Sequence, residues 1–346
     1  MIKVQRVDPC TDYRWNALAA GPGGALFTSP PWITAVSESY GLTPHAHVAL
    51  DNSGTAIAGA VWTDVRDMRG ERRIALPFCD RADPIVPDLA TWEKVSTDAF
   101  AADMPFTLRC LATSPALGDG RFTMIGEAAW HETPLDRTLE ELYAMLRSQT
   151  RRNIATAQRA GVEVVLSPDA DAIGEYHRLH VQLRKHKYRL LAQPLEFFER
   201  VWKAFAPDDA IRTALAFVGG RPIAGAVYLV WQDTVYYKFG ASLAEFLPLR
   251  PNDAIHWQLI RWAHTRDLRA LDWGLSDLDQ PGLVGYKRKW ASREGRICTV
   301  NAGGRPVGWH SDTEQTLRLM TELLTDPQVP NAVTERGGSA LYRLFC

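Results

Sequence analysis

The sequence predicts a mixed α/β protein, with mixed sheets, in which one structural unit is written twice. The stretch GTAIAGAVW, Gly54 to Trp62, returns as GRPIAGAVY, Gly220 to Tyr228, 166 residues downstream. Around each copy the same order of segments can be read: a strand, a turn, a strand, a turn, a strand, then a helix. The length of 346 residues accommodates about two domains of ~150 residues each. The core match I-A-G-A-V carries little information alone. The turn glycine before it, the aromatic after it and the shared order of elements make duplication the better account.

In the first unit HAHVALD alternates ahead of a DNSG turn, and TAIAGAVWTDV follows, broken by RDMRG before RRIALPF. Strands joined by glycine-containing turns form an antiparallel meander, and WEKVSTDAFAAD then has a helical pattern. In the second unit AIRTALAFV, PIAGAVYLVW and TVYYKFGA are strands separated by GGR and QD turns. NDAIHWQLIRWAHTRD reads as an amphipathic helix with Ile255, Leu259, Trp262 and Ala263 on one face and Asn252 or Asp253 as its cap. LRALDWG is the next strand.

Between the units, TLEELYAMLRSQTRRNIATAQRAG predicts one linking helix stopped at Gly161. It carries Arg147, Arg151, Arg152 and Arg159 without an acid between them. That is either a solvated face or a cationic wall turned to an anionic substrate. DTEQTLRLMTELL predicts a closing helix. The expected division is an N-terminal unit over 1–135, a linking helix over 136–165, a C-terminal unit over 166–310 and a helical tail over 311–346.

A formal net charge of −1 gives no global basic field, which argues against a dedicated DNA or RNA binder. Five cysteines, an odd number with no CxxC spacing, fit a reduced compartment and no structural metal. The charged N-terminus is unlike a signal peptide. No run approaches 18 apolar residues, so the expectation is a cytoplasmic protein without a membrane span.

TVYYKFGAS, LRPNDAIHWQLIRWA, LDWG and GYKRKW together resemble the FemA/FemB-like branch of the GNAT acyltransferase superfamily. That branch includes the cellulose- and exopolysaccharide-associated acetyltransferase-like proteins. TRRNIATAQRAGVEV is similar to the family's arginine-rich helix, and LFTSPPWITAV, Leu26 to Val36, is similar to its N-terminal motif. The resemblance runs from about Leu26 to Trp290. It implies two GNAT-like domains in tandem joined by an Arg-rich helix, and an N-acyltransferase. The donor would be acyl-CoA or an aminoacyl-tRNA, no metal is expected, and the cofactor is otherwise unknown. The acceptor would be an amine on a small metabolite, a polysaccharide sugar, or a lipid- or nucleotide-linked envelope precursor.

Such chemistry needs a neutral amine, alignment with an activated carbonyl, and stabilisation of the oxyanion that forms. By match, Tyr286 and Lys287 inherit the family's cleft aromatic and lysine, with Lys289 and Trp290 beside them. The alternative for GYKRKW is a surface basic turn. The helix starting near Asn252 and Asp253, with Arg250 just before, offers an anion site, or is an ordinary proline-punctuated start. LRPND lacks the RxxGxG glycines with which typical GNAT enzymes wrap the coenzyme A pyrophosphate. Asp272 would orient Lys287 or take a proton, or else cap a loop. His256 is a candidate base or a buried structural histidine. Tyr237 and Lys238 lie on alternate faces of a strand, so one of them can reach a cleft. RLHVQLRKHKYRLL, Arg178 to Leu191, would line a positive groove if it faced Arg151 and Arg152 of the linking helix. The rival readings are an aminoacyl-tRNA-dependent, peptide-bond-forming transferase and a catalytically silent binding module.

Overall fold

The computed structural model describes residues 2–68, 70–101, 104–303 and 311–345. The first unit comprises β1 (Lys3–Val7), α1 (Tyr13–Ala19), α2 (Pro30–Tyr40), β2 (Pro44–Leu50), β3 (Ala56–Asp67), β4 (Gly70–Ile74), α3 (Leu89–Val95), β5 (Phe106–Leu111) and β6 (Thr123–Pro134). The helices α4 (Leu139–Met145) and α5 (Ser148–Arg159) connect it to the second unit. That unit comprises β7 (Glu163–Ser167), α6 (Ala170–Gln182), α7 (Leu195–Phe205), β8 (Ile211–Val218), β9 (Arg221–Trp231), β10 (Thr234–Ser242), α8 (Pro251–His264), β11 (Ala270–Asp277), α9 (Pro281–Arg288) and β12 (Arg293–Ala302). The chain closes with α10 (Ser311–Leu324) and α11 (Asn331–Leu341).

All twelve strands join one sheet in the order β1-β2-β3-β4-β5-β12-β6-β11-β10-β9-β8-β7. Advancing every strand by six and reading from the other end returns the same order, so the halves are related by a pseudo-two-fold axis between β12 and β6. Both units have one parallel pair, β4 with β5 and β10 with β11, in an otherwise antiparallel arrangement. The sixth strand of each unit is exchanged: β12 pairs with β5 of the first unit, and β6 pairs with β11 of the second. A second contact across the axis is made by α2 and α7, where Trp32 meets Phe197 edge-on at 6.2 Å.

The repeated sequence occupies equivalent strands, β3 and β9. In each, the isoleucine (Ile57, Ile223) is the extra residue of a bulge against the preceding strand. Two residues on, the glycine lies beneath an aromatic of the unit's first helix. A Cβ on Gly59 would stand 3.0 Å from Trp15, and one on Gly225 would stand 3.1 Å from Tyr176. The repeat thus preserves a helix-on-strand contact for which a side chain leaves no space.

The linking segment departs from the single expected helix. Leu146 and Arg147 are extended (ψ 139° and 145°), which separates α4 from α5. The Arg151 guanidinium donates to the carbonyls of Ala144 and Leu146, each at 2.7 Å. It thereby satisfies acceptors that the end of α4 leaves open. Gly161 does follow α5 in a left-handed conformation (φ +69°). Among the described residues Cys10, Cys79, Cys110 and Cys298 are free thiols, while Cys346 lies outside them. No described helix is long and apolar enough to cross a membrane.

Gly225→Ala is expected to lower stability by about 1–3 kcal/mol through overpacking against Leu215 and Tyr176. Denaturant unfolding of the variant beside the parent measures this. Chains cut between β6 and α4 are expected to be insoluble as separate halves and to associate when co-expressed, because each half supplies the other with a sheet strand.

Candidate active site

Strands β10 and β11 pair only from Thr234–Tyr236 to Ala270–Asp272, although both continue beyond. Each is then bulged against its other neighbour, β10 between Tyr237 and Phe239 and β11 between Asp272 and Leu275. Bulges bend strands and interrupt pairing. A wedge therefore opens in the sheet, with β10 backbone free along one side.

A cleft of about 1240 Å³ lies beside the end of β10, the start of α8, α9 and the end of α6. Tyr237, Asn252 and Tyr286 line it, so the motifs around residues 252 and 286 meet. Opposite them are Arg178, His186 and Lys187 from the RLHVQLRKHKYRLL segment, part of which is a π-helical continuation of α6 (Leu183–Tyr188). Glu175 pairs with Arg178, which tempers the positive charge on this wall. The expected partner wall of linking-helix arginines is absent from the cleft. Arg151 caps α4, and Arg152 is exposed and donates to Gln149 at 2.8 Å.

The start of α8 is unlike a pyrophosphate cradle. Its N-cap is Arg250, exposed and left-handed (φ 59°), with no side-chain cap, which corrects the assignment of the cap to Asn252 or Asp253. Pro251 at the first position has no N–H to offer. Asn252 accepts a hydrogen bond from the Ser242 hydroxyl at 2.8 Å. Asp253 is buried away from the cleft, with Lys289 at 2.6 Å and the Asn153 amide at 3.3 Å. A carboxylate in the first turn already answers the positive end of the helix dipole. In the first unit the equivalent helix, α3, is capped by its own Asp88 carboxylate, which accepts from Thr91 N at 2.7 Å.

GYKRKW forms the end of α9 and the residues after it rather than a surface turn, because Tyr286, Lys287 and Trp290 pack inward. Lys289 lies 4.1 Å from the centre of the Tyr286 ring, a cation–π contact that adds to its pair with Asp253. Trp290 is buried, and its carbonyl accepts from the Thr133 hydroxyl at 2.9 Å. Its place is structural rather than on the cleft surface.

Behind the cleft, at the wedge, is a nest of charges from both units. Lys287 Nζ donates to the Leu275 carbonyl at 2.6 Å. Leu275 N donates to Asp80 Oδ2 at 3.1 Å, and Lys238 Nζ reaches Asp80 Oδ1 at 2.6 Å. Burial lowers Lys287 to about 8 despite the attraction of Asp80 and Asp272. For Asp80, burial acts upward but Lys238 overrides it, and the carboxylate sits below its usual range. Gly274 is left-handed (φ +68°), and a Cβ there would fall 2.4 Å from Asp80 Oδ2, so the approach of the carboxylate requires glycine.

Asp272 does not bond Lys287. It accepts from the Trp130 indole at 2.9 Å and from Gly274 N at 2.7 Å, with Arg81 at 3.8 Å. Burial pushes its carboxyl upward, partly offset by Arg81. His256 is buried among Tyr237, Trp273, Tyr286 and Trp290, and its Nδ1 is 2.6 Å from the Tyr228 hydroxyl. Burial, then Lys289, lowers it to about 3, which makes the ring a weak base seated in an aromatic core. Burial raises Tyr237 to about 12. Lys238 points away from the cleft into the nest, and Tyr237 faces the cleft. Asp80, Arg81 and Trp130 carry no local signal in the sequence, since they reach the nest from far along the chain. Among the described residues no group of three or more His, Cys, Asp or Glu side chains could hold a metal ion.

Residues 144–288 match the family described as an acetyltransferase (GNAT) domain. Over nearly the whole chain the fold is similar to the crystal structure of FemX, with a TM-score of 0.65 and 15% identity over 86% of this chain and 96% of that one. It is also similar to the structure of L-PGS from Bacillus licheniformis (TM-score 0.55, 11% identity, 92% and 96% covered). A third similarity is to the C-terminal domain of a putative lysylphosphatidylglycerol synthetase from Agrobacterium fabrum (TM-score 0.51, 14% identity, 82% and 91% covered). No curated sequence matches the chain. The segment 144–288 thus carries a GNAT-type acetyltransferase domain match, and the chain as a whole has a GNAT-type acyltransferase fold similar to that of FemX.

Lys289→Met is expected to cost about 3 kcal/mol, because it strands the Asp253 carboxylate in the interior. Thermal unfolding of the variant checks this, with a smaller loss expected for the double variant Lys289→Met/Asp253→Asn.

Proposed function

We propose that the protein transfers an aminoacyl group from an ester donor in the cleft to an amine of a cell-envelope precursor, a polysaccharide sugar or a small metabolite. Acyl-CoA is the donor to test against. In this reading the second unit, from β7 to β12, holds the donor, and the first unit, from β1 to β6, completes the acceptor side and contributes Asp80. The free β10 edge at the wedge suits an extended ligand, which would pair with its backbone groups. A charged tRNA or a nucleotide-linked acceptor belongs to the cytoplasm, where we place the reaction.

The observation that carries the reading is the Lys287 ammonium, fixed 2.6 Å from the Leu275 carbonyl at the wedge behind the cleft, with Tyr286, its neighbour in sequence, on the cleft wall. The neutral acceptor nitrogen attacks the ester carbonyl and forms the C–N bond. Lys287 stabilises the oxyanion. As the tetrahedral species collapses the ester C–O bond breaks, and the proton shed by nitrogen goes to the departing hydroxyl oxygen. With acyl-CoA the same sequence would release a thiol. The ester donor is favoured by the start of α8, where Pro251 removes an N–H and Asp253 already occupies the first turn.

Incubation with labelled aminoacyl-tRNAs and, separately, labelled acyl-CoAs tests the proposal. Product from the tRNA pool is expected, and product from acyl-CoA alone would overturn the donor assignment. No product from either pool, with retained ligand binding, would make the protein a silent module. Lys287→Met is expected to lower kcat by about 10²–10³-fold. Because Lys287 sits near 8, the active ammonium is present below that pH and lost above it. The rate is therefore expected to fall above about pH 8, with the falling limb moved to higher pH in Lys287→Arg.

A further inference from the structure

We infer that Asp80 and Lys238 act together as positioning residues for Lys287, holding its ammonium at the wedge through the backbone of Leu275. The role of Lys287 in transfer rests on the reading above; the positioning itself rests on geometry. One chain of contacts joins the three side chains. Lys238 Nζ meets Asp80 Oδ1 at 2.6 Å, Asp80 Oδ2 receives Leu275 N at 3.1 Å, and the Leu275 carbonyl receives Lys287 Nζ at 2.6 Å. Leu275 stands where β11 resumes pairing with β6 after its bulge, so its peptide groups are not fixed by the parallel ladder to β10. The carboxylate replaces that ladder as the acceptor for the Leu275 N–H.

Lys238 is itself held in place. Its ammonium lies 4.7 Å from the Phe27 ring centre and 5.2 Å from that of Trp32, both in the first unit. The second unit's lysine is thus set by an anion and an aromatic wall of the first. Asp80 is poorly suited to act as the base. Both oxygens are engaged, one of them by an ammonium, which favours the ionised form that only accepts. The other charged or titratable groups around Lys287 are Asp272 and Asp277 of β11, His131 of β6 and His256 of α8. Asp272 is engaged by Trp130, Gly274 and Arg81, which leaves Asp80 as the carboxylate linked to Lys287 through one residue's backbone.

The test is an NMR titration of lysine side chains labelled with ¹³C at Cε, with the Lys287 signal assigned from Lys287→Arg. Removing the like charge in Lys238→Met is expected to raise the Lys287 midpoint, and removing the opposite charge in Asp80→Asn to lower it, each by about one pH unit or more. Lys238→Arg is expected to restore the parent midpoint. Unmoved midpoints, or shifts of the same sign, would overturn the proposal. If Asp80→Asn does not fold, the comparison of Lys238→Met with Lys238→Arg decides alone, and an unmoved midpoint in Lys238→Met overturns it. The readout needs no turnover: shifts as expected without transfer from any donor would sink the transfer reading and leave the positioning intact. Transfer with unmoved midpoints would do the reverse.

Discussion

The hydrogen-bond ladder made by the two exchanged strands is the constraint on which the molecule depends. A fifth strand left unpaired would expose a row of backbone donors and acceptors. Here β12 covers that edge on the first unit and β6 covers it on the second, so neither unit completes its sheet without the other. The two units therefore cannot act as independently swinging domains. They form one body, and a side chain of one unit can be placed against the backbone of the other with fixed geometry.

The charged nest follows from that arrangement. Asp80 lies 158 residues before Lys238 in the chain and meets it at 2.6 Å. Taking such a pair out of water costs several kcal/mol per ion, offset only by good geometry and further hydrogen bonds. Both conditions are met: Leu275 N supplies a second bond to the carboxylate, and the aromatic wall receives the ammonium. Away from the nest, His256 is hydrogen-bonded to Tyr228 and Asp253 is paired with Lys289, which keeps α8 seated while the cleft forms beside its first turn.

Duplication explains what the two units share, and their helix starts show where they differ. Their bulges, their glycines under an aromatic and their parallel pairs correspond, yet the first unit's helix is capped by Asp88 and the second's begins with an uncapped Arg250. The start of α3 in the first unit is closed by its own carboxylate. The second unit keeps an open wedge and a cleft of about 1240 Å³.

Much of the fold could be read from local pattern. The strands from Ile211 to Ser242, the helix from Pro251 to His264 and the strand beginning at Ala270 follow from alternation, turn residues and helical periodicity. The repeat identified the duplication, because equal packing contacts preserve equal residues at the bulge and beneath the helix. Among candidate site residues Tyr237, Asn252 and Tyr286 do line the cleft. Arg151, Arg152, Lys238, Arg250, Asp253, His256, Asp272, Lys287, Lys289 and Trp290 are not among the residues that line it; for the buried ones the partners lie on segments that spacing along the chain cannot reveal. The break between α4 and α5, the strand exchange and the entry of Asp80 into the wedge were decided by tertiary structure alone. Periodicity reports which face of an element is buried, whereas the partner of a buried charge is set by which distant strand completes the sheet.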